Sequence, residues 1–109
     1  MVRNQENNVR FKSAVFHALS DPIRLEILGY LRDGERCVCE IVPHLELIQP
    51  LVSRHLKILK DVGLIRYRKD GTKRMYSIVE CKIYTVLDAL TPDLVNTLTK
   101  EVFQNVTCP

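Results

Sequence analysis

Two β-rich runs, Leu64–Lys69 and Thr72–Val79, stand either side of Asp70-Gly71 in a chain that otherwise carries helical spacing. Asp-Gly between such runs is the strongest short hairpin signal. The fold is therefore mainly α with a small β-hairpin, and the helices around it can be placed in order. Phe11, Val15, Ala18 and Leu19 line one face of a first helix over about 9–19. Ser20-Asp21-Pro22 stops it and starts the next, with Asp21 as cap and Pro22 at the first position. Ile23, Ile27, Leu28 and Leu31 form the inward stripe of that second helix, and Gly34 offers a left-handed end. Residues 35–38 have room only for a brief strand. A third helix follows over about Cys39–Leu45, with Pro43 tolerable only within about its first turn. The fourth, about 49–62, turns Val52, Leu56, Leu59 and Val62 inward and ends at Gly63. From Glu80 the chain is helical again, broken at Thr91-Pro92, with Leu87, Leu90, Leu94, Leu98 and Val102 as its apolar stripe.

A chain of 109 residues has room for one domain, spanning 1–109. No apolar run approaches the roughly 18 residues needed to cross a bilayer, and polar Met1–Asn8 lacks the core of a signal peptide. The expectation is a cytoplasmic protein without membrane association. In a reducing compartment its four Cys read as buried thiols, metal ligands or redox groups, and not as structural disulfides.

Charge is concentrated in one place. Residues 49–76 hold Arg54, Lys57, Lys60, Arg66, Arg68, Lys69, Lys73 and Arg74 against Asp61 and Asp70, a net +6, while the remainder carries −3. Such an excess is the footprint of a surface for a polyanion, the alternative being a solvated basic face. Gln49, Ser53, Arg54, Lys57 and Lys60 lie away from the inward stripe of the fourth helix and offer base-edge and phosphate partners. Short helices, then a cationic helix and a basic hairpin, follow the order of a winged helix-turn-helix. There one helix enters the major groove and the hairpin tip reaches the backbone.

The motifs Ala18-Leu-Ser-Asp-Pro-Ile-Arg-Leu-Glu-Ile-Leu28, Cys37-Val-Cys-Glu-Ile41 and Gln49-Pro-Leu-Val-Ser-Arg-His-Leu-Lys-Ile-Leu59, with Gly63-Leu-Ile and the hairpin, resemble the ArsR/SmtB family. Members of that family are dimeric winged-helix repressors that leave their operator when a metal or metalloid ion binds. The resemblance covers roughly residues 12–90. It implies a homodimer on an inverted-repeat double-stranded DNA operator, with the recognition helix at about 49–62 and the wing at about 64–79. Helices at about 9–19 and 80–103 would build the dimer interface. The implied DNA-binding residues are Gln49, Pro50, Ser53, Arg54, His55, Lys57 and Lys60 with Arg66, Arg68, Lys69, Lys73 and Arg74; His55 is balanced between DNA contact and packing. Where relatives usually place Ser or Thr before the Gln, Ile48 stands here, which removes a helix cap.

Cys37 and Cys39 flank Val38. On a regular strand their side chains would oppose each other, so one ion could join them only where the chain turns. The strand-to-helix switch provides such a turn, and the helix N-terminus and Arg36 favour thiolate; two small buried hydrophobes remain the alternative. The resemblance is to arsenic-type members, whose site begins with Cys-Val-Cys and adds a third Cys three residues on, where this chain has Val42. That leaves Cys108 as the expected third ligand, with Cys81, otherwise a packing residue, as its substitute, or neither. A two-thiolate site would suit a monomethylated arsenical or mercury. Zinc-type relatives pair Asp with His on the last helix, and here Asp88 and Asp93 have no His. His17 and His44 read as surface or packing residues. No permanent cofactor is implied. The inducer would be arsenite or antimonite, with cadmium or lead as the alternative, or a thiol redox or sulfur signal on the same scaffold. Both cysteines are expected outside the groove-facing surface, so that induction and DNA binding are separable. No paired carboxylates, Ser/His/Asp set or Gly-rich phosphate loop argues for an enzyme, which leaves a protein-assembly module as the reading from another class.

Overall fold

The computed structural model describes residues 2–107, with the side chains of residues 7–104. In chain order these residues form α1 (Val2–Leu19), α2 (Pro22–Leu31), β1 (Arg36–Cys37), α3 (Val38–Leu45), α4 (Gln49–Asp61), β2 (Ile65–Asp70), β3 (Lys73–Ile78), α5 (Ile83–Asp88) and α6 (Pro92–Thr107). The strands make one antiparallel sheet in the order β1-β3-β2.

The corner between α1 and α2 is closed by the expected cap. Asp21 has extended backbone, and its Oδ1 accepts from the N–H of Ile23 at 2.8 Å and of Arg24 at 3.3 Å. Two of the N–H groups that a helix start leaves without a partner are thereby satisfied. The core forms where the inward stripes meet. Ile27 and Leu28 of α2, Ile41 of α3, and Val52, Leu56 and Leu59 of α4 are fully buried. Each such side chain contributes roughly 1.5–3 kcal/mol of transfer free energy. Tyr84 fastens α5 to this core by donating its hydroxyl to the Leu28 carbonyl at 2.5 Å. Arg32 lies over the Tyr84 ring at 4.7 Å and makes a two-point ion pair with Asp88.

Several expectations are corrected. The first helix begins at Val2, not near residue 9, and Phe11 on it is 59% exposed, so α1 packs on the core only near its C-terminal end. The C-terminal helical region begins at Ile83 and not at Glu80, while the break expected at Thr91-Pro92 is present between Ile83–Asp88 and Pro92–Thr107, with Thr91 Oγ1 accepting from the Leu94 N–H. Pro43 sits at the sixth residue of α3. This eight-residue helix tolerates the lost N–H because it ends just beyond, where Glu46 takes a left-handed φ of 57° and donates its N–H to the Pro43 carbonyl. In the hairpin Asp70 pairs with Lys73, so the two-residue loop is Gly71-Thr72. Gly71, at φ 63°, supplies the positive φ at the first loop position. The recognition helix ends at Asp61 and the wing strands at Ile78, each one residue short of expectation.

Three carboxylates are held below their ordinary ionisation range. Asp88 is lowered by the Arg32 hydrogen bonds and charge, and Glu35 by those of Arg68. For Asp21 burial works upward, but the N–H groups of Ile23 and Arg24, with the Arg24 charge, carry it downward overall. Folded-state values below the unfolded ones mean that the stabilisation is present above the ordinary carboxylate range, about pH 4, and is lost as pH falls through it. The melting temperature should therefore be flat from pH 7 to about pH 5 and fall below that. Asp88→Asn should shrink the difference between the values at pH 7 and pH 3 in thermal unfolding followed by circular dichroism. An undiminished difference would remove Asp88 from the linkage.

Candidate nucleic-acid interface and thiol pair

With Val52, Leu56 and Leu59 turned into the core, the opposite face of α4 is left to solvent. Gln49, Pro50, Ser53, Arg54, Lys57 and Lys60 are all exposed there. His55 is not on that face. It is 8% exposed, and its Nδ1 lies 3.1 Å from Nη1 of Arg24 in the interior, because a step of one residue from Arg54 rotates it towards α2.

The hairpin carries Arg66, Arg68, Lys69, Lys73 and Arg74, all exposed, yet they are not equivalent. Arg68 makes two hydrogen bonds to Glu35, at 2.8 and 2.7 Å, which fasten the wing to the segment before β1. Lys57 is paired with Asp61 at 2.8 Å. Among the described residues Arg54, Lys60, Arg66, Lys69, Lys73 and Arg74 have no carboxylate within ion-pair distance. Tyr67 ties the two halves of this surface together. Its ring lies 5.1 Å from the Lys60 ammonium of α4 and 5.2 Å from the Arg74 guanidinium of β3. That role was not foreseen. The available signal was an aromatic residue inside a basic run, which the alternation of the strand turns towards α4.

The cysteine pair sits where the chain turns. Cys37 ends β1 with extended backbone, and as the N-cap of α3 its Sγ accepts from the Cys39 N–H at 3.0 Å. Glu40 completes a capping box by accepting from the Cys37 N–H at 3.2 Å. This geometry brings the two sulfurs to the same side, and they are joined as a disulfide with Cα atoms 5.0 Å apart. The expectation of free thiols is corrected: the one-residue spacing places the sulfurs together before any ion is present. Cys37 is 2% exposed and Cys39 is exposed. Arg36 is engaged elsewhere, over the Tyr30 ring at 4.3 Å and against Glu40 at 3.5 Å. Cys81 is exposed and free, so it is no packing residue. Cys108 lies outside the described residues. Among the described residues no group of three His, Cys, Asp or Glu is placed to hold an ion.

The pair is also not remote from the basic face. An open groove of about 810 Å³ is lined by Cys37, Cys39 and Val42, by Gln49, Ser53, Lys57 and Lys60 of α4, and by Thr72, Lys73 and Arg74 of the wing. The pairing of β1 with β3, which sets Cys37 opposite Met75, brings the thiol pair to the wing. The expectation that both cysteines lie away from the groove-facing surface fails for this reason.

A family model for bacterial regulatory proteins of the arsR family matches residues 21–67, from the Asp21 cap to Tyr67. An arsenical resistance operon repressor of Staphylococcus aureus is 38% identical over 85 residues, covering 78% of this chain and 80% of that protein. One from Staphylococcus xylosus is 46% identical over 66 residues, which span 61% of this chain and 64% of the relative, just under two thirds of its length. Among solved structures, a homodimeric winged helix-turn-helix DNA-binding domain from Mycobacterium bovis, a possible ArsR-family transcriptional regulator, matches with a TM-score of 0.72. Its sequence identity is 26%, and the match covers 96% of this chain and 93% of that one.

Proposed function

The chain belongs to the ArsR family of DNA-binding transcriptional regulators, which are not enzymes, and from that premise we propose that it is a homodimeric repressor released from its operator by a soft metalloid, arsenite or antimonite, at Cys37 and Cys39. The observation that carries this reading is the groove in which a cysteine pair and the cations of α4 and the wing face one another. Reduction of the pair frees two adjacent sulfurs, a donor set that suits soft ions and not oxygen-seeking ones. Cys108 is proposed as a third thiol, since Val42 occupies the place nearest the pair, and Cys81 as its substitute. Cadmium or lead is the alternative inducer. The disulfide itself favours a second reading, in which oxidation of the same pair is the signal.

Recognition is assigned to Gln49, Pro50, Ser53, Arg54, Lys57 and Lys60, with Arg66, Arg68, Lys69, Lys73 and Arg74 as wing contacts. A dimer would place two α4 helices in successive major grooves of an inverted repeat, about 10–10.5 bp apart. The dimer is supported by the apolar faces that α1 and α6 leave to solvent: Phe11, Phe16, Leu94, Leu98 and Val102. No helix among the described residues is long and apolar enough to cross a membrane.

Release requires that the inducer bind the DNA-free dimer more tightly than the DNA-bound one, and a tenfold effect needs about 1.4 kcal/mol of that difference. Cys37 stands at the right place to transmit it. Its sulfur caps α3, and α3 packs against α4 through the core around Ile41.

Arg54→Ala should lower the preference for operator over random duplex at least tenfold. Lys73→Ala should weaken all duplexes alike and reduce the salt slope of log K by about one per subunit, in anisotropy titrations from low to high salt. Unchanged discrimination in Arg54→Ala would displace the recognition helix.

Leu98→Glu should convert the dimer to monomer in sedimentation velocity and abolish operator binding at concentrations where the unmutated chain is saturated. A persistent dimer would place the interface elsewhere.

Cys37→Ser with Cys39→Ser, which keeps a capping side chain for α3 and adds no charge to the groove, should keep operator affinity within about threefold, yet lose arsenite release under full reduction. Cys108→Ser should weaken release by arsenite much more than release by a monomethylated arsenical, which needs two thiols. Release by oxidants alone, with no arsenite effect on the reduced dimer, would favour the redox reading.

A further inference from the structure

The disulfide presents its two sulfurs to solvent very unequally. Cys37 is 2% exposed, whereas Cys39 is exposed and opens onto the groove shared by α3, α4 and the wing. Four cations line that groove, Lys57, Lys60, Lys73 and Arg74, and among the described residues no carboxylate does. Lys57 is paired with Asp61, while the other three have no carboxylate within ion-pair distance among the described residues. Glu40, the acid that follows Cys39, is occupied by the Cys37 N–H and the Arg36 guanidinium.

We infer that Cys39 is the entry sulfur of the pair, and that its co-reactant is a small thiol carrying negative charge, which stays in the groove as a mixed disulfide. A thiolate attacks a disulfide on the side away from the sulfur that leaves, so access decides which sulfur reacts. Attack at Cys39 comes from the open groove; attack at Cys37 would have to reach an enclosed atom. The step is a single exchange. The incoming thiolate forms a bond to Sγ of Cys39, the Cys37–Cys39 bond breaks, and its electron pair leaves on Sγ of Cys37. The incoming sulfur is oxidised and that of Cys37 reduced, with no proton or further electron required. The leaving sulfur already accepts the Cys39 N–H at 3.0 Å, at the start of α3, where a thiolate is favoured. The field of the cations concentrates anionic reactants in the groove and excludes cationic ones. This inference rests on the redox reading above, in which the pair forms a disulfide.

The test follows opening of the pair in the full chain, oxidised with diamide, with Cys81→Ser and Cys108→Ser leaving Cys37 and Cys39 as the only cysteines. At low salt 2-mercaptoethanesulfonate should open it about tenfold faster per thiolate than neutral 2-mercaptoethanol. Added salt should shrink that advantage. Lys60→Gln with Lys73→Gln should bring the two rates within about twofold of each other, and Lys60→Arg with Lys73→Arg should keep them apart. The rate with the neutral thiol should stay the same in both variants, which separates lost charge from lost structure. The entry sulfur is identified by mass spectrometry of single-cysteine chains. Cys37→Ser should take one sulfoethyl group from bis(2-sulfoethyl) disulfide, at Cys39, and Cys39→Ser should take its group about tenfold more slowly until denatured. Equal rates for the two thiols, an advantage that survives Lys60→Gln with Lys73→Gln, or uptake at Cys37 as fast as at Cys39 overturns the inference and leaves the redox reading standing. A pair that remains as two thiols under diamide overturns both.

Discussion

The architecture turns on one buried cation. Removing a guanidinium from water costs several kcal/mol unless its donors are satisfied, and no carboxylate accepts from Arg24. Its partners are the carbonyls of His17 and Ala18, the negative end of α1, and the His55 imidazole on α4. The carbonyls are in reach only when the chain doubles back at Ser20-Asp21-Pro22, and the imidazole only when α4 lies across α2. Satisfying the cation therefore selects one corner and one crossing together. Asp21 serves the same end from the other side, capping α2 at the residue from which Arg24 projects. The direction of α1 is fixed as a result, and with it the apolar face that includes Phe16.

Cys37 is a second point at which several constraints coincide. It pairs with Met75 across the sheet, caps α3 with its sulfur, and bonds to Cys39. A two-residue strand is too short to be stable alone, so β1 depends on β3, and α3 depends on β1 for its start. Chemistry at this sulfur thus touches the wing through backbone pairing and α4 through helix packing.

Much of this could be read from the sequence, for physical reasons that differ by element. The cap at Asp21-Pro22, the inward stripe of α4 and the hairpin depend on local spacing, and local spacing is what a sequence displays. Local spacing leaves His55 balanced, because its environment is supplied by Arg24, thirty-one residues away. Tyr67 and Glu35 were missed for the same reason: each acts through a partner on another element. The groove shared by cysteines and cations depends on the pairing of β1 with β3, which two residues of strand cannot announce. The apolar stripe of α6 is legible, but not its place outside the core: among its described side chains none is buried.

The shared groove also determines how thiol and DNA chemistry must interact under the repressor reading. Phosphates drawn to Lys57, Lys60 and Lys73 would bring negative charge into the space onto which Cys39 opens. A thiolate in that space repels them, and linkage makes the effect reciprocal: bound DNA disfavours the thiolate by the same factor by which the thiolate disfavours DNA. The cations that remain without carboxylates serve both states, holding phosphate in one and offsetting thiolate charge in the other. Arg68, paired with Glu35, also anchors the wing. The division between fastened and free cations keeps the wing in place while the charge at its tip remains available to two competing anions.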